Sequence, residues 1–374
     1  LFRSASNQFI FQTRTITTNN ENFNTNEFEG TTTVPFYPNV YAAYKTGDLV
    51  LSAGLAPIGG GGSAEYDQGL PSFEFQVASL VGVPAGALDP NLAGLGNITG
   101  YSLDMSFEGS SVYIGGQAGA SYALSDILSV SAGLRYVSAT NTYQGMLQDV
   151  VLETASMDIA GAIPDIEVDA ERTGSGITGL FGVAYQPNDM INIGVKYETI
   201  TKLEMENNTT VDGTAALGEP MFPDGAKVQA DIPAIFATGA DIQVSDALKA
   251  SLSFTYFLNT VVDWDGLEDF VNNGTEYGVG VEYDAGEGLL LSGGYIHSEA
   301  GATGAYQTDL NFSINSNTLG LGAKYQLSPE ASISLGVSNT FYEQGQNDEN
   351  LQALVQKYDK TSLAFGLGVS YALR

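Results

Sequence analysis

Apolar and polar residues alternate along most of this chain, most plainly over residues 177–201, ITGLFGVAYQPNDMINIGVKYETIT. Ile177, Gly179, Phe181, Val183 and Tyr185 fall on one face, and Ile191, Ile193, Val195 and Tyr197 do so after the turn set Pro187, Asn188 and Asp189. A period of two sends successive side chains to opposite faces of a strand. The other face carries Thr178, Gly182, Ala184, Asn192, Gly194 and Lys196, with Leu180 as the exception. The pattern predicts a hairpin with one apolar face, each apolar row ending in a tyrosine.

This unit recurs from end to end. Residues 8–18 alternate, a polar loop covers 19–33, and a second strand pair turns at Thr46, Gly47 and Asp48. Residues 59–107 interrupt the rhythm with a glycine run, a short helical stretch within 74–88, and polar turns. Alternation resumes near 110, and further tight turns fall at Ser125-Asp126, Ser245-Asp246, 284–287 and Ser328-Pro329-Glu330. Longer segments over 141–166, 205–224, 263–273, 298–309 and 343–360 separate the hairpins. About fourteen strands result. Short turns alternating with long loops mark bacterial outer-membrane barrels, and closure removes the free edges of so many strands. The predicted fold is all-β, a single transmembrane antiparallel up-and-down β-barrel spanning residues 1–374. Tyr44, Tyr136, Tyr185, Tyr197, Tyr256, Tyr325 and Tyr371 end apolar rows, where interfacial girdles lie. The competing reading is a soluble β-sandwich, whose strands average nearer ~5–6 residues.

Composition narrows the classes. Mean hydropathy is zero, and no apolar run approaches ~18 residues, which excludes a transmembrane helix but not alternating strands. Cysteine is absent, so disulfides and thiolate metal sites are ruled out. With 13 basic and 43 acidic residues and a net charge of −30, the chain is a poor partner for nucleic acid, whose phosphates need clustered Lys and Arg. An alternating stretch opens within the first ten residues, so the numbering is expected to begin inside a longer precursor.

Four stretches go further: VPFYPNVYAAYKTGDLVLSAGLAPIGGGGSAEYD, GITGLFGVAYQPNDMINIGVKYETITKLE, ADIPAIFATGADIQVSDALKASLSFTYFLNTVVDW, and the run from YGVGVEY to GLGVSYAL. In order and spacing they resemble the FadL/TodX family of outer-membrane transporters for long-chain fatty acids and other hydrophobic compounds. The resemblance implies passive outer-membrane transport of hydrophobic small molecules, long-chain fatty acids or aromatic hydrocarbons, by a monomer without cofactors. An N-terminal plug with an Asn-Pro-Ala motif is a family feature that does not precede Leu1 in this numbering.

The resemblance also implies site residues. The family's kinked third strand, through whose side opening substrate leaves, corresponds to Ala56, Pro57, Ile58, Gly59, Gly60, Gly61 and Gly62. Proline lacks the ladder donor and a glycine run weakens a strand, so a kink is reasonable, and a plain flexible loop is the alternative. The family's outer groove lies between the loops after strands five and seven. Here those carry Met146, Leu147, Val150, Val151, Leu152, Met157 and Ile159, then Val211, Leu217, Met221 and Phe222. Apolar side chains in watery loops pack on one another or hold an apolar ligand. Phe73, Phe75, Val77, Leu80 and Val81 are expected to cap the same route.

Catalysis is not expected. His297 is the only histidine, has no acid partner at useful spacing, and reads as an exposed loop residue. Asp263, Asp265 and Glu268, or Asp149 with Glu153, offer a weak calcium set beside the plainer reading of a solvated acidic rim. Such a rim could meet outer-membrane lipids and lipopolysaccharide through divalent ions. Two rival functions stay open: a non-specific polar porin, whose inward basic candidates are Arg135, Lys196 and Lys249, and an acidic-loop adhesin or structural surface protein.

Overall fold

The computed structural model describes residues 1–217 and 220–372. Strand 1 (Phe2–Thr18) is followed by strand 2 in two pieces (Glu27–Val34 and Asn39–Thr46) and strand 3 (Leu49–Tyr66). Strands 4, 5 and 6 are long: Ile98–Ser125, Leu128–Thr154 and Ile166–Asn188. Strand 7 (Ile191–Glu198 and Glu204–Asp212) and strand 8 (Lys227–Gln229 and Ala234–Ser245) are each broken once. Strands 9 to 13 are regular: Leu248–Leu258, Gly274–Asp284, Leu289–Glu299, Ser316–Gln326 and Ala331–Tyr342. Strand 14 (Gln356–Ala372) returns to pair with strand 1 along its whole length, from Phe2↔Ala372 to Thr18↔Gln356. The 14 antiparallel strands therefore close into a barrel with no free edge.

The outward rows are apolar and exposed, as in Leu134, Ile177, Phe181, Leu321 and Leu335. Outward tyrosines ring both ends of this band: Tyr44, Tyr122, Tyr185, Tyr283, Tyr325 and Tyr371 near the short turns, Tyr136, Tyr197, Tyr277 and Tyr295 toward the long loops. All six predicted short turns join strands where the pattern put them.

Three boundaries differ from the sequence reading. Segment 141–166 is mostly ladder, since strand 5 runs to Thr154 and strand 6 starts at Ile166. Part of 205–224 is likewise strand, Glu204–Asp212 paired to strand 6. The interruption over 59–107 is shorter than expected: strand 3 continues through the glycine run to Tyr66, an α-helix occupies Pro71–Ala78, and strand 4 begins at Ile98. About 9–11 residues suffice to cross a bilayer as a tilted strand, so strands 4, 5 and 6, with 28, 27 and 23 residues, rise far beyond it. His297 lies within strand 11, half-buried, with Nδ1 2.9 Å from Asn317 Oδ1, and is not a loop residue.

Candidate binding cavity and wall break

Toward the long-loop end the barrel interior holds a cavity of about 1040 Å³. Strands 1 to 8 and 14 and the loops after strands 7, 9 and 11 contribute to its wall. Much of the lining is aromatic: Phe107, Tyr113, Tyr143, Phe222, Trp264, Tyr306 and Phe312. Tyr143 stacks on Phe222 at 4.7 Å between ring centroids, and Trp264 tilts against Tyr306 at 6.2 Å.

The rest of the lining is mixed: Arg14, Arg172 and Lys360 enter the space, and so do the carboxylates of Asp265 and Asp309 and amides such as Gln12, Asn141 and Asn311. None of the three cations forms a salt bridge among the described residues. Arg172 donates through Nε to Asn207 Oδ1 at 2.7 Å and lies over the rings of Tyr143 and Phe222. Arg14 donates to Gln12 at 2.9 Å and approaches the Phe312 ring, while Lys360 Nζ lies 4.7 Å from the Tyr342 ring centroid. Thr32 and Tyr66 line the same space, 8% and 3% exposed; the Thr32 hydroxyl has no hydrogen-bond partner among the described residues, and the Tyr66 hydroxyl lies beside Arg14. Buried polar atoms normally find a partner. This part of the cavity therefore combines cations that are not salt-bridged with a buried Thr32 hydroxyl that has no partner among the described residues.

Above the cavity, the helix Pro71–Ala78 is held by two buried carboxylates. Glu74 accepts from Tyr101 Oη at 2.6 Å and from the Asn24 amide at 2.8 Å. Asp309, from the loop between strands 11 and 12, accepts from the Ser72 amide at 2.7 Å, and burial raises its carboxyl above the ordinary aspartate range.

The cavity reaches the barrel wall at Val34, Gly60 and Gly62. Strand 2 pairs with strand 3 from Thr46↔Leu49 to Val40↔Leu55, then again only at Thr31↔Glu65. Between these lies Pro35-Phe36-Tyr37-Pro38, where strand 2 is broken. Strand 3, by contrast, stays paired to strand 4 through Gly59↔Tyr113, Gly60↔Val112 and Gly62↔Ser111, with bulges after Pro57 and Gly60. The lost ladder thus lies on the strand 2 side. Two glycines have specific reasons. Gly60 takes φ +67°, and a Cβ there would collide with the Ser111 carbonyl; a Cβ on Gly62 would stand 2.6 Å from Val34 Cγ2. Ile58 turns inward against Gly115 and Arg135.

The residues singled out in the sequence separate into three groups. Phe73, Leu147, Val150, Leu152 and Ile159 are buried in one hydrophobic cluster with Ile16, Phe28 and Tyr358, and Phe75 and Leu80 pack against it. They form a packed roof. Met221 and Phe222 line the cavity itself. Val151 is half-buried beside Ala160, Met146 lines a separate outer groove among Glu65, Glu108, Glu167 and Asp169, and Met157 is 59% exposed. The Leu217 side chain lies outside the described residues.

Arg14, Arg172, Lys360, Tyr66 and Trp264 were not singled out as binding residues. The signal for the first two was available: Arg14 and Arg172 fall on the inward parity of alternating strands. The inward cations that were named are neutralised. Arg135 pairs with Glu198 at 2.7 Å, Lys196 with the same carboxylate at 2.8 Å, and Lys249 with Glu282 at 2.9 Å. Asp263 and Glu268 act in local turns, Asp263 accepting from the Asp265 amide and Glu268 from the Trp264 and Gly266 amides, while the Asp265 carboxylate accepts from the Gln229 amide at 2.8 Å and lines the cavity. Among the described residues no group of three metal-ligating side chains comes together.

A family model described as outer membrane protein transport protein (OMPP1/FadL/TodX) matches residues 111–373. No curated protein matches the chain in sequence. Similar solved structures include a Pseudomonas aeruginosa FadL homologue, with TM-score 0.65 and 15% identity over 99% of this chain and 90% of that one. The P. putida toluene transporter TodX follows at TM-score 0.61 and 12% identity, covering 100% of this chain and 90% of its own. The Ralstonia pickettii toluene transporter TbuX gives 0.58 and 14%, covering 99% and 90%. At these identities the likeness is one of fold.

Proposed function

Because this chain belongs to the OMPP1/FadL/TodX family of outer membrane transport proteins, we propose that it carries amphiphiles with a long apolar tail and an anionic head, fatty acids in kind, passively across the outer membrane. The family and its structural neighbours are transport channels and not enzymes. One observation carries the reading of the cargo: the 1040 Å³ cavity joins an aromatic lining to Arg14, Arg172 and Lys360, none of which is salt-bridged among the described residues, although Asp265 and Asp309 share the lining. Burying each CH₂ of a tail contributes about 0.8 kcal/mol, and a hydrogen bond to a charged group adds about 1.5–3 kcal/mol. Aromatic hydrocarbons, the class to which the cargo named for TodX and TbuX belongs, would fill the aromatic part but leave the cations unmatched.

The route runs from the mouth into the cavity and out through the wall where strand 2 is broken. Irregular backbone at membrane depth is tolerated only where it faces protein or a cavity, and here the break adjoins cavity-lining Val34 and Gly62. Diffusion down a gradient needs no cofactor.

The test compares laurate, dodecanol and toluene as ligands of the purified protein, and measures ion conductance in planar bilayers. Laurate is expected to bind at least tenfold more tightly than dodecanol, one charge-assisted contact being worth about that factor. Equal binding of laurate and dodecanol would remove the anionic head from the reading. Large, steady ion currents would replace transport of hydrophobic cargo with a polar pore.

A further inference from the structure

Asn7 belongs to the outward row of strand 1, between Ala5 and the exposed Phe9, and opposite Leu367 of strand 14. A primary amide among lipid-facing apolar side chains is costly unless its donors and acceptor are used. Asn7 uses both. Its Oδ1 accepts from the Tyr37 amide at 2.9 Å, and its Nδ2 donates to the Pro35 carbonyl at 3.0 Å. Those two backbone groups lie within the break at 35–38, where strand 3 supplies no ladder. The Tyr37 carbonyl is also occupied, by the Gln8 amide at 3.3 Å and by Asn39 Nδ2 at 3.3 Å. Pro35 and Pro38 have no N–H to satisfy. Phe36, 77% exposed, is left pointing away from the wall.

We infer that Asn7 is the positioning residue of the wall opening: its side-chain amide takes the place of the ladder bonds that residues 35–38 forgo, so strand 2 remains apart from strand 3 in lipid. Leucine at this position would leave the Pro35 carbonyl and Tyr37 amide unsatisfied. Re-pairing strand 2 toward strand 3 is the nearest remedy. Aspartate would accept from Tyr37 but donate nothing to Pro35. The transport consequence rests on the proposed release through this wall; the structural role of Asn7 does not.

The experiment uses the absence of cysteine, which makes labelling clean. Spin labels at Phe36→Cys and Leu55→Cys, both outward-facing, report the separation of strands 2 and 3 in nanodiscs. In Asn7→Leu the separation should shorten, delivery of a fluorescent fatty acid to proteoliposome lipid should fall about tenfold, as a closed gate requires, and binding in detergent should persist. Asn7→Gln should restore the wild-type separation in part. Where Asn7→Leu assembles poorly, Asn7→Asp is expected to shift the distance the same way. An unchanged separation in folded Asn7→Leu or Asn7→Asp overturns the role of Asn7. A shortened separation with undiminished delivery upholds Asn7 and refutes release through this wall.

Discussion

Arg14 and Lys360 face one another across the seam where strand 14 closes the barrel on strand 1. Like charges directly opposite on one face of a sheet repel. Aromatic rings flank both residues, yet no carboxylate forms a salt bridge with either among the described residues. In a chain of net charge −30, two adjacent cations with no salt bridge among the described residues are a specific arrangement. Lys360→Met should therefore weaken laurate binding by about ten- to a hundredfold, the worth of a hydrogen bond to a charged group. Dodecanol binding should not change. Isothermal titration separates the outcomes, and equal losses for both ligands would make Lys360 a packing residue.

Gly60 should resist replacement more than its neighbour Gly59. Its φ of +67° disfavours any side chain, and a Cβ meets the Ser111 carbonyl, whereas a Cβ on Gly59 makes ordinary contact with Tyr113 at 3.6 Å. Gly60→Val should cost about 1–3 kcal/mol, while Gly59→Ala stays within about 1 kcal/mol. Urea unfolding in lipid vesicles, followed by the heat-dependent gel shift, measures both.

Phe222 and Met157 test where capture occurs. Phe222 stacks on Tyr143 beneath Arg172 and lines the cavity; Met157 is 59% exposed on the loop after strand 5. Removing a ring from the binding surface is expected to cost about 1–3 kcal/mol of affinity. Phe222→Ala should thus lower laurate affinity roughly tenfold or more, with Met157→Ala unchanged. The reverse ranking in equilibrium binding would move the site out to the loop tips.

The helical roof should respond to pH through Asp309. Its carboxyl, raised by burial, titrates above the unfolded aspartate value, so its contribution favours the fold at low pH. That contribution is lost as pH rises from the ordinary aspartate range through the folded value. Hydrogen exchange over residues 71–78, corrected for intrinsic rates, should accordingly show protection declining with pH in that window. Asp309→Asn keeps an acceptor for the Ser72 amide and should flatten the profile. A profile in the variant as steep as in the wild type would assign the dependence elsewhere.

The strand count was legible because every crossing strand alternates and every short turn carries Gly, Pro, Asn or Asp. Legibility stopped where strands leave the bilayer. In strand 6 the apolar row lies outward at Ile177, Phe181 and Val183, but inward at Ile166, Val168 and Ala170, with Glu167 and Glu171 facing water. The chain stays in one ladder while its apolar side changes, so a pattern that tracks hydrophobicity ends near Gly176. The roof cluster misled for a related reason: Leu147, Val150 and Leu152 resemble a greasy loop groove, yet they are the inner face of strand 5. Arg14 and Arg172 could be placed inward by parity, but that neither is salt-bridged among the described residues is a property of the closed barrel. From the sequence a side opening is expected at the kink of strand 3 over Ala56, Pro57, Ile58 and Gly59 to Gly62, where the glycine run is conspicuous. The prolines at 35 and 38 interrupt the strand beside it, and Asn7, far from both in sequence, makes the interruption tolerable.

Strands 9 to 12 are 11 residues each, while strands 4 to 6 run to more than twice that. At ~3.3 Å per residue, the difference raises one side of the tube by tens of ångströms, so its rim is cut obliquely, like a quill. A molecule drifting in the sugar layer outside the bilayer would not fall into such a tube from above. It would come in from the low side, past the loops after strands 9 and 11, whose Trp264 and Tyr306 line the cavity. Shortening strands 4 to 6 would then alter how often cargo is intercepted without altering how firmly it is held.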